Sequence, residues 1–197
     1  MSESEENKRK TWLMFKKSDK SIPFTTNIIP KFNKALTATD ENGTWEIKYS
    51  YNSNEGNAIY GAFDHSYTVT ATSYKTTSTT YTHYITLKLP DGLAISPETI
   101  VSKVKQYYNS TNPYTIYVTG LNKETNAWET LTESHTPSYK SGGTATGYTT
   151  YTDNLLTEKQ YYTQFRFYIK KTKSTTSAEN GLMLIEYEIT KGRYKKI

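Results

Sequence analysis

Between residues 99 and 133, apolar and polar positions alternate in two runs, separated by the turn-rich Asn109-Ser110-Thr111-Asn112 and Pro113. In the first run Ile100 and Val104 share a face with Ser102 between them, and Lys103 and Lys105 share the other. In the second run Ile116 and Val118 oppose Thr115, Tyr117 and Thr119. Successive side chains of a strand point to opposite sides, so a period of two predicts two half-buried strands. Gly120 closes the second run, a polar loop spans residues 122–126, and Trp128 and Leu131 end the unit.

The same period recurs along the chain. After the Asn42-Gly43 turn, residues 44–51 read as a strand with Trp45, Ile47, Tyr49 and Tyr51 on one face. Ile85, Leu87 and Leu89 line one side of another, ended by Pro90-Asp91-Gly92. Residues 161–169 and 183–189 supply two more, the first with Phe165, Phe167 and Ile169 together. Residues 67–71 are a further candidate, and the Thr/Ser-rich stretch 74–80 suggests a hairpin or an exposed edge. Residues 52–57 form a loop by composition. Residues 134–152, with Pro137, three glycines and Tyr139, Tyr148 and Tyr151, form the longest irregular stretch, a kind that usually serves function or packs on a partner. Pro23 and Pro30 disfavour helix and make residues 21–34 an extended arm. No long helical period appears. The chain is predicted to be all-β.

Composition sharpens this picture. Nineteen tyrosines against six phenylalanines suit pleated, half-solvated surfaces and a core that leans on rings whose hydroxyls reach water. A length of 197 residues fits one β-sandwich. The absence of cysteine excludes a disulfide framework, a thiolate nucleophile and zinc–cysteine sites. The net charge of +5 is spread along the chain rather than gathered on one face, so nucleic acid is not expected as a partner. The polar start of the chain has no apolar signal core, and no stretch approaches a membrane span, so neither export by a signal peptide nor membrane insertion is expected.

Catalytic patterns are missing. His65, His83 and His135 lack the spacing of a helical zinc pair, and no nucleophile elbow, phosphate loop or dinucleotide fingerprint is present. Asp64, Asp91, Asp153, Glu186 and Glu188 are the carboxylates available for glycoside hydrolysis, but no spacing pairs any two of them. Glu186 and Glu188 share a strand face and are expected to point to solvent. The chain is not expected to be an enzyme.

The order I-x-V-x-G-x-N, polar loop, W-x-x-L over Ile116–Leu131 resembles part of the galactose-binding-like domains, a family that includes discoidin domains, coagulation-factor C domains and many carbohydrate-binding modules. Residues 57–64, which hold Ala62-Phe63-Asp64, the segment 84–100 with its strand ending in Pro, the aromatic-Arg strand 161–169 and the Leu-x-x-Glu strand 181–190 fit it in sequence order. The resemblance covers residues 28–190 and implies a jelly-roll β-sandwich. It also implies a structural calcium at Asp64, with Thr68 nearby; the other reading is an aspartate fixing its own loop. It further implies that Trp128 packs in the sandwich and that Arg166 makes an internal hydrogen bond or ion pair.

Three segments are expected: an N-terminal arm 1–30, the sandwich 31–191 and a basic tail 192–197. Loops at one end of such a sandwich are the expected ligand site, which selects Asn54, Tyr60, His65, Tyr139, Tyr148 and Tyr151 for a saccharide or a protein interface. The leading functional expectation is a bacteriophage virion structural protein of tail, baseplate or capsid, assembled in the host cytoplasm and contacting other virion proteins and itself. The alternative is a carbohydrate-binding module or adhesin for a cell-surface glycan.

Overall fold

The computed structural model describes residues 20–50, 54–66, 74–76, 82–106, 114–137, 148–155, 160–171 and 182–197. The described residues form eleven strands and one 3-10 segment. The strands are β1 (Ile22–Phe24), β2 (Thr37–Asp40), β3 (Gly43–Tyr49), β4 (Tyr74–Thr76), β5 (Thr82–Lys88) and β6 (Leu93–Gln106). They continue with β7 (Tyr114–Asn122), β8 (Trp128–Thr130), β9 (Thr149–Asn154), β10 (Tyr162–Lys171) and β11 (Leu182–Lys196). The 3-10 segment is Asn54–Phe63.

Two layers follow from the pairing. One runs β2-β3-β5-β10-β7-β8, and the other gathers β9, β6 and β11, with β1 and β4 on the free edge of β11. A single pair, Tyr162↔Ile95, joins them. The layers lie face to face, because Phe167 of β10 and Tyr187 of β11 bring their rings within 4.3 Å although the two strands are not paired. Phe63, at the end of the 3-10 segment, fills the gap between them, 5.5 Å from Phe167 and 6.1 Å from Tyr187. The all-β sandwich expected from the alternation is present.

The inward positions are those the period of two selects. Trp45, Ile47, Ile85, Leu87, Ile116, Val118, Phe165, Phe167 and Ile169 from one layer meet Ile100, Val104, Tyr187 and Ile189 from the other, all buried. Each buried aliphatic or aromatic side chain contributes about 1.5–3 kcal/mol, so this shared interior is what holds the two layers together.

Two expected boundaries look different in space. Residues 22–24 pair with β11, and Ile29 and Phe32 sit in the core, so the part of the arm that is described is woven into the sandwich. Asn27 is the clasp: its Oδ1 accepts from the Ile29 amide at 3.2 Å and the Ile189 amide at 3.1 Å. At the other end, β11 continues through the expected tail as far as Lys196, pairing with Leu93 of β6. Residues 1–19 lie outside the described residues.

Glu186 and Glu188 do not face solvent. They are 1% and 6% exposed. Pairing with β6 places Lys103 beside them, and its Nζ donates to Glu188 Oε2 at 2.7 Å. Burial of Glu186 beside the Asp64–His65 segment was not legible from a two-residue period. The expected strand at residues 67–71 lies outside the described residues, and of the stretch 74–80 only β4 is described.

Candidate functional site

The outward face of the six-stranded layer carries the most distinctive chemistry among the described residues. Register fixes its rows. Lys48, Thr86, Arg166, Thr119 and Thr130 stand opposite one another across β3, β5, β10, β7 and β8. One row away are Glu46, Lys88, Gln164, Leu121 and Trp128; on the other side are Tyr84, Tyr168 and Tyr117. Arg166 therefore has Tyr84 as a diagonal neighbour on β5, and Trp128 stands one row over and two strands away across β7.

It uses both. Its Cζ lies 3.8 Å from the centre of the Trp128 ring and 4.4 Å from that of Tyr84, a cation held between two π-faces. No hydrogen bond or ion pair is made by Arg166 among the described residues, and its buried Nε has no partner. Stacking thus stands where an internal hydrogen bond or ion pair was expected. Trp128 likewise is not in the core; it is half-exposed on β8 and supplies one wall of the arginine clamp. The reason is local. Asn122 accepts from the amides of Glu124 at 2.8 Å and Thr125 at 3.3 Å, building the tight turn that brings β8 back along β7. Its amide group donates to Glu129 at 2.8 Å, and the Tyr162 hydroxyl donates to the other Glu129 oxygen at 3.0 Å. Glu129 is fixed inward, so Trp128, the next residue along the strand, must face outward.

Beside the clamp lies a cleft of about 390 Å³ lined by Lys48, Tyr49, Ser50, Tyr84, Thr86, Gln164 and Arg166. A second, of similar volume, lies toward β2 around Thr37, Thr44, Glu46, Lys88 and Asp91. The tyrosine row adjoining the clamp stands on edge: Tyr117 and Tyr168 stack at 4.6 Å and 4°. Such rings offer rims and hydroxyls to a ligand rather than flat faces. Burial, and then the neighbouring Tyr168, hold the Tyr117 hydroxyl above its ordinary pKa, so it stays a neutral donor.

The expected loop residues are placed elsewhere. Tyr60 is half-buried against the core. His65, with a left-handed φ of 55°, ties the Asp64–Ser66 segment down through Nε2, 3.0 Å from the Ile29 carbonyl and 3.3 Å from Asn27 Nδ2. Tyr151 stacks on His135 at 4.2 Å, and His135 Nε2 lies 2.8 Å from Asp153 Oδ1. Tyr148 is half-buried ahead of β9. The Asn54 side chain, Tyr139 and Thr68 lie outside the described residues. The Tyr60–His65 and Tyr148–Tyr151 groups are tied to different partners, the first to Asn27 and Ile29 and the second to His135 and Asp153.

Asp64 Oδ1 accepts from the Ser66 amide at 2.8 Å, a side chain securing its own loop. Among the described residues no group of three His, Cys, Asp or Glu side chains could hold a metal ion. Thr68, the other residue of the calcium site that the resemblance implies, lies outside the described residues, and no calcium enters the functional reading. No helix among the described residues is long and apolar enough to cross a membrane.

No family model and no curated protein matches the chain. Solved structures similar to it include the C-terminal domain of a chitobiase from Bacteroides fragilis, with 10% identity, TM-score 0.48, and 80% of this chain and 98% of that one covered. An F5/8 type C domain from the same organism has 15% identity and TM-score 0.46, covering 82% and 98%. A chitosan-binding module of a chitosanase/glucanase from Paenibacillus sp. IK-5 has 18% identity and TM-score 0.43, covering 80% and 97%. At these values the likeness says nothing of a ligand for this chain.

Proposed function

We propose that the chain is a non-catalytic carbohydrate-binding β-sandwich that takes a saccharide on the outward face of β3, β5 and β10. The observation that carries this reading is the cleft beside Arg166, whose lining of Lys48, Ser50, Tyr84, Thr86 and Gln164 is dense in directional donors and acceptors and holds no aliphatic side chain. The hot spots of a protein interface are fully desolvated, whereas Lys48 and Ser50 of this lining are exposed; a sugar ring presents hydroxyls at close intervals and is matched by amides, hydroxyls and cations. The volume is at the small end of ligand pockets and suits one or two sugar rings. A role in a bacteriophage particle, expected from composition and the arm, gains no supporting feature from the fold and gives way to this reading.

The test is a glycan array followed by calorimetry on the hits, with wild type and Gln164→Ala. Binding that Gln164→Ala weakens about tenfold supports the cleft, as the loss of a buried hydrogen bond to a ligand predicts. An array with no hit, or hits unaffected by Gln164→Ala but abolished by Tyr148→Ala, would refute it.

A further inference from the structure

The clamp and its cleft are more specific than sugar binding in general, and the specificity they point to rests on the carbohydrate reading. A guanidinium carries five N–H donors in a planar fork and no acceptor. In Arg166 the cation rests against the Trp128 and Tyr84 rings, so its hydrogen-bonding capacity is left to the N–H groups at its rim. No carboxylate among the described residues uses it. The cleft that opens beside it is lined by two cations, Lys48 and Arg166, and by no acid. The acids nearest in register are committed or apart: Glu129 is held by Asn122 and Tyr162, Asp91 pairs with Lys88 at 3.1 Å, and Glu46 lies one row away, in the lining of the second cleft. A protein that only needed a stacked cation for stability would gain from a neighbouring carboxylate, because a charge-assisted bond to a partly desolvated arginine is stronger than one to water. This face leaves the place open.

We propose that the cleft selects acidic saccharides, with the Arg166 fork gripping a sugar carboxylate in two parallel hydrogen bonds and Lys48 adding a second positive charge at the mouth. The stacked rings fix the plane of the fork before the ligand arrives, so little side-chain freedom is lost on binding. Gln164 and Thr86, which flank Arg166 in register, are placed to meet hydroxyls of the same ring. A sulfate ester shares the charge but not the flat two-oxygen edge, so carboxylate sugars bind in preference to sulfated ones.

The experiment compares a uronic-acid oligosaccharide, its carboxyl-reduced neutral counterpart, a sulfated oligosaccharide of equal length and a single-stranded oligonucleotide. Each is titrated at about 50 and about 300 mM salt, a range over which charge–charge attraction is progressively screened, against wild type, Arg166→Lys and Lys48→Gln. Expected results are uronate binding at least about tenfold tighter than its neutral counterpart, weakening at high salt, a loss of about tenfold or more in Arg166→Lys and a roughly two- to fivefold loss in Lys48→Gln. Lys48 is exposed, so its variant reports on binding even if the arginine variant fails to fold. Equal affinity for the neutral sugar, or an unaltered Arg166→Lys, overturns the acidic specificity and leaves the carbohydrate reading standing. Failure of every saccharide overturns both. Oligonucleotide binding as tight as that of the uronate makes the cleft a phosphate groove and overturns it too.

Discussion

Glu186 is a carboxylate that the fold has taken out of water. Burial raises its pKa most, the charges of Asp64 and Glu188 add to the effect, and Lys103 and the His65 amide oppose it, leaving it pushed up to about 9 from an ordinary 4.5. Below pH 4.5 the group is protonated in both the folded and the unfolded chain, and its contribution to stability is fully present. Above that, the unfolded chain releases the proton while the folded one keeps it, so stability falls as pH rises toward 9. Each pH unit in that window costs about 1.4 kcal/mol, and about three units up to pH 7.5 set an upper limit of roughly 4 kcal/mol, with relaxation bringing it to about 2–4. Glutamine has the same shape and no charge to desolvate. Glu186→Gln is therefore expected to stabilise the protein at pH 7.5 by about 2–4 kcal/mol, and by less than about 1 at pH 5. Urea melts of both proteins at pH 5, 6, 7 and 8 measure this directly. Parallel pH profiles for wild type and variant would sink the account, since the slope must then come from other groups. A variant less stable at every pH would show that the carboxylate makes a bond in the folded state that glutamine cannot replace.

Two predictions concern packing. Phe167→Ala removes the ring that meets both Phe63 and Tyr187 across the two layers, and is expected to cost about 3–5 kcal/mol in a denaturant melt; a loss under about 1 kcal/mol would mean that the layers are not joined there. At Gly120 an added Cβ would lie 2.5 Å from the Tyr162 ring, so Gly120→Ala is expected to destabilise by about 1–3 kcal/mol and to loosen the Tyr162–Glu129 bond that turns Trp128 outward. Thermal melting reads the first effect, and the change in Trp128 fluorescence the second; an unchanged melt with wild-type fluorescence refutes it.

The amino-acid pattern by itself determined the layer architecture and most of the interior. Where apolar residues recur at every second position, as at Ile85-Leu87, Ile116-Val118 and Phe165-Phe167, burying that face is the only way to remove it from water, and the structure does so. The pattern could not say what covers a strand's second face. Glu186 and Glu188 alternate with Tyr187 and Ile189 as solvent-facing residues would, yet Lys103 on the paired strand and the distant Asp64–His65 segment enclose them. The functional surface fell to the same difficulty. Tyr84, Trp128 and Arg166 lie on three strands, and only the register of β5, β10, β7 and β8 brings the two rings onto one guanidinium. Seen singly, the arginine suggested an ion pair and the tryptophan a core residue. Side-chain alternation is a local property of the backbone, whereas a cation between two rings depends on cross-strand neighbours that hydrogen bonding chooses once the chain has folded.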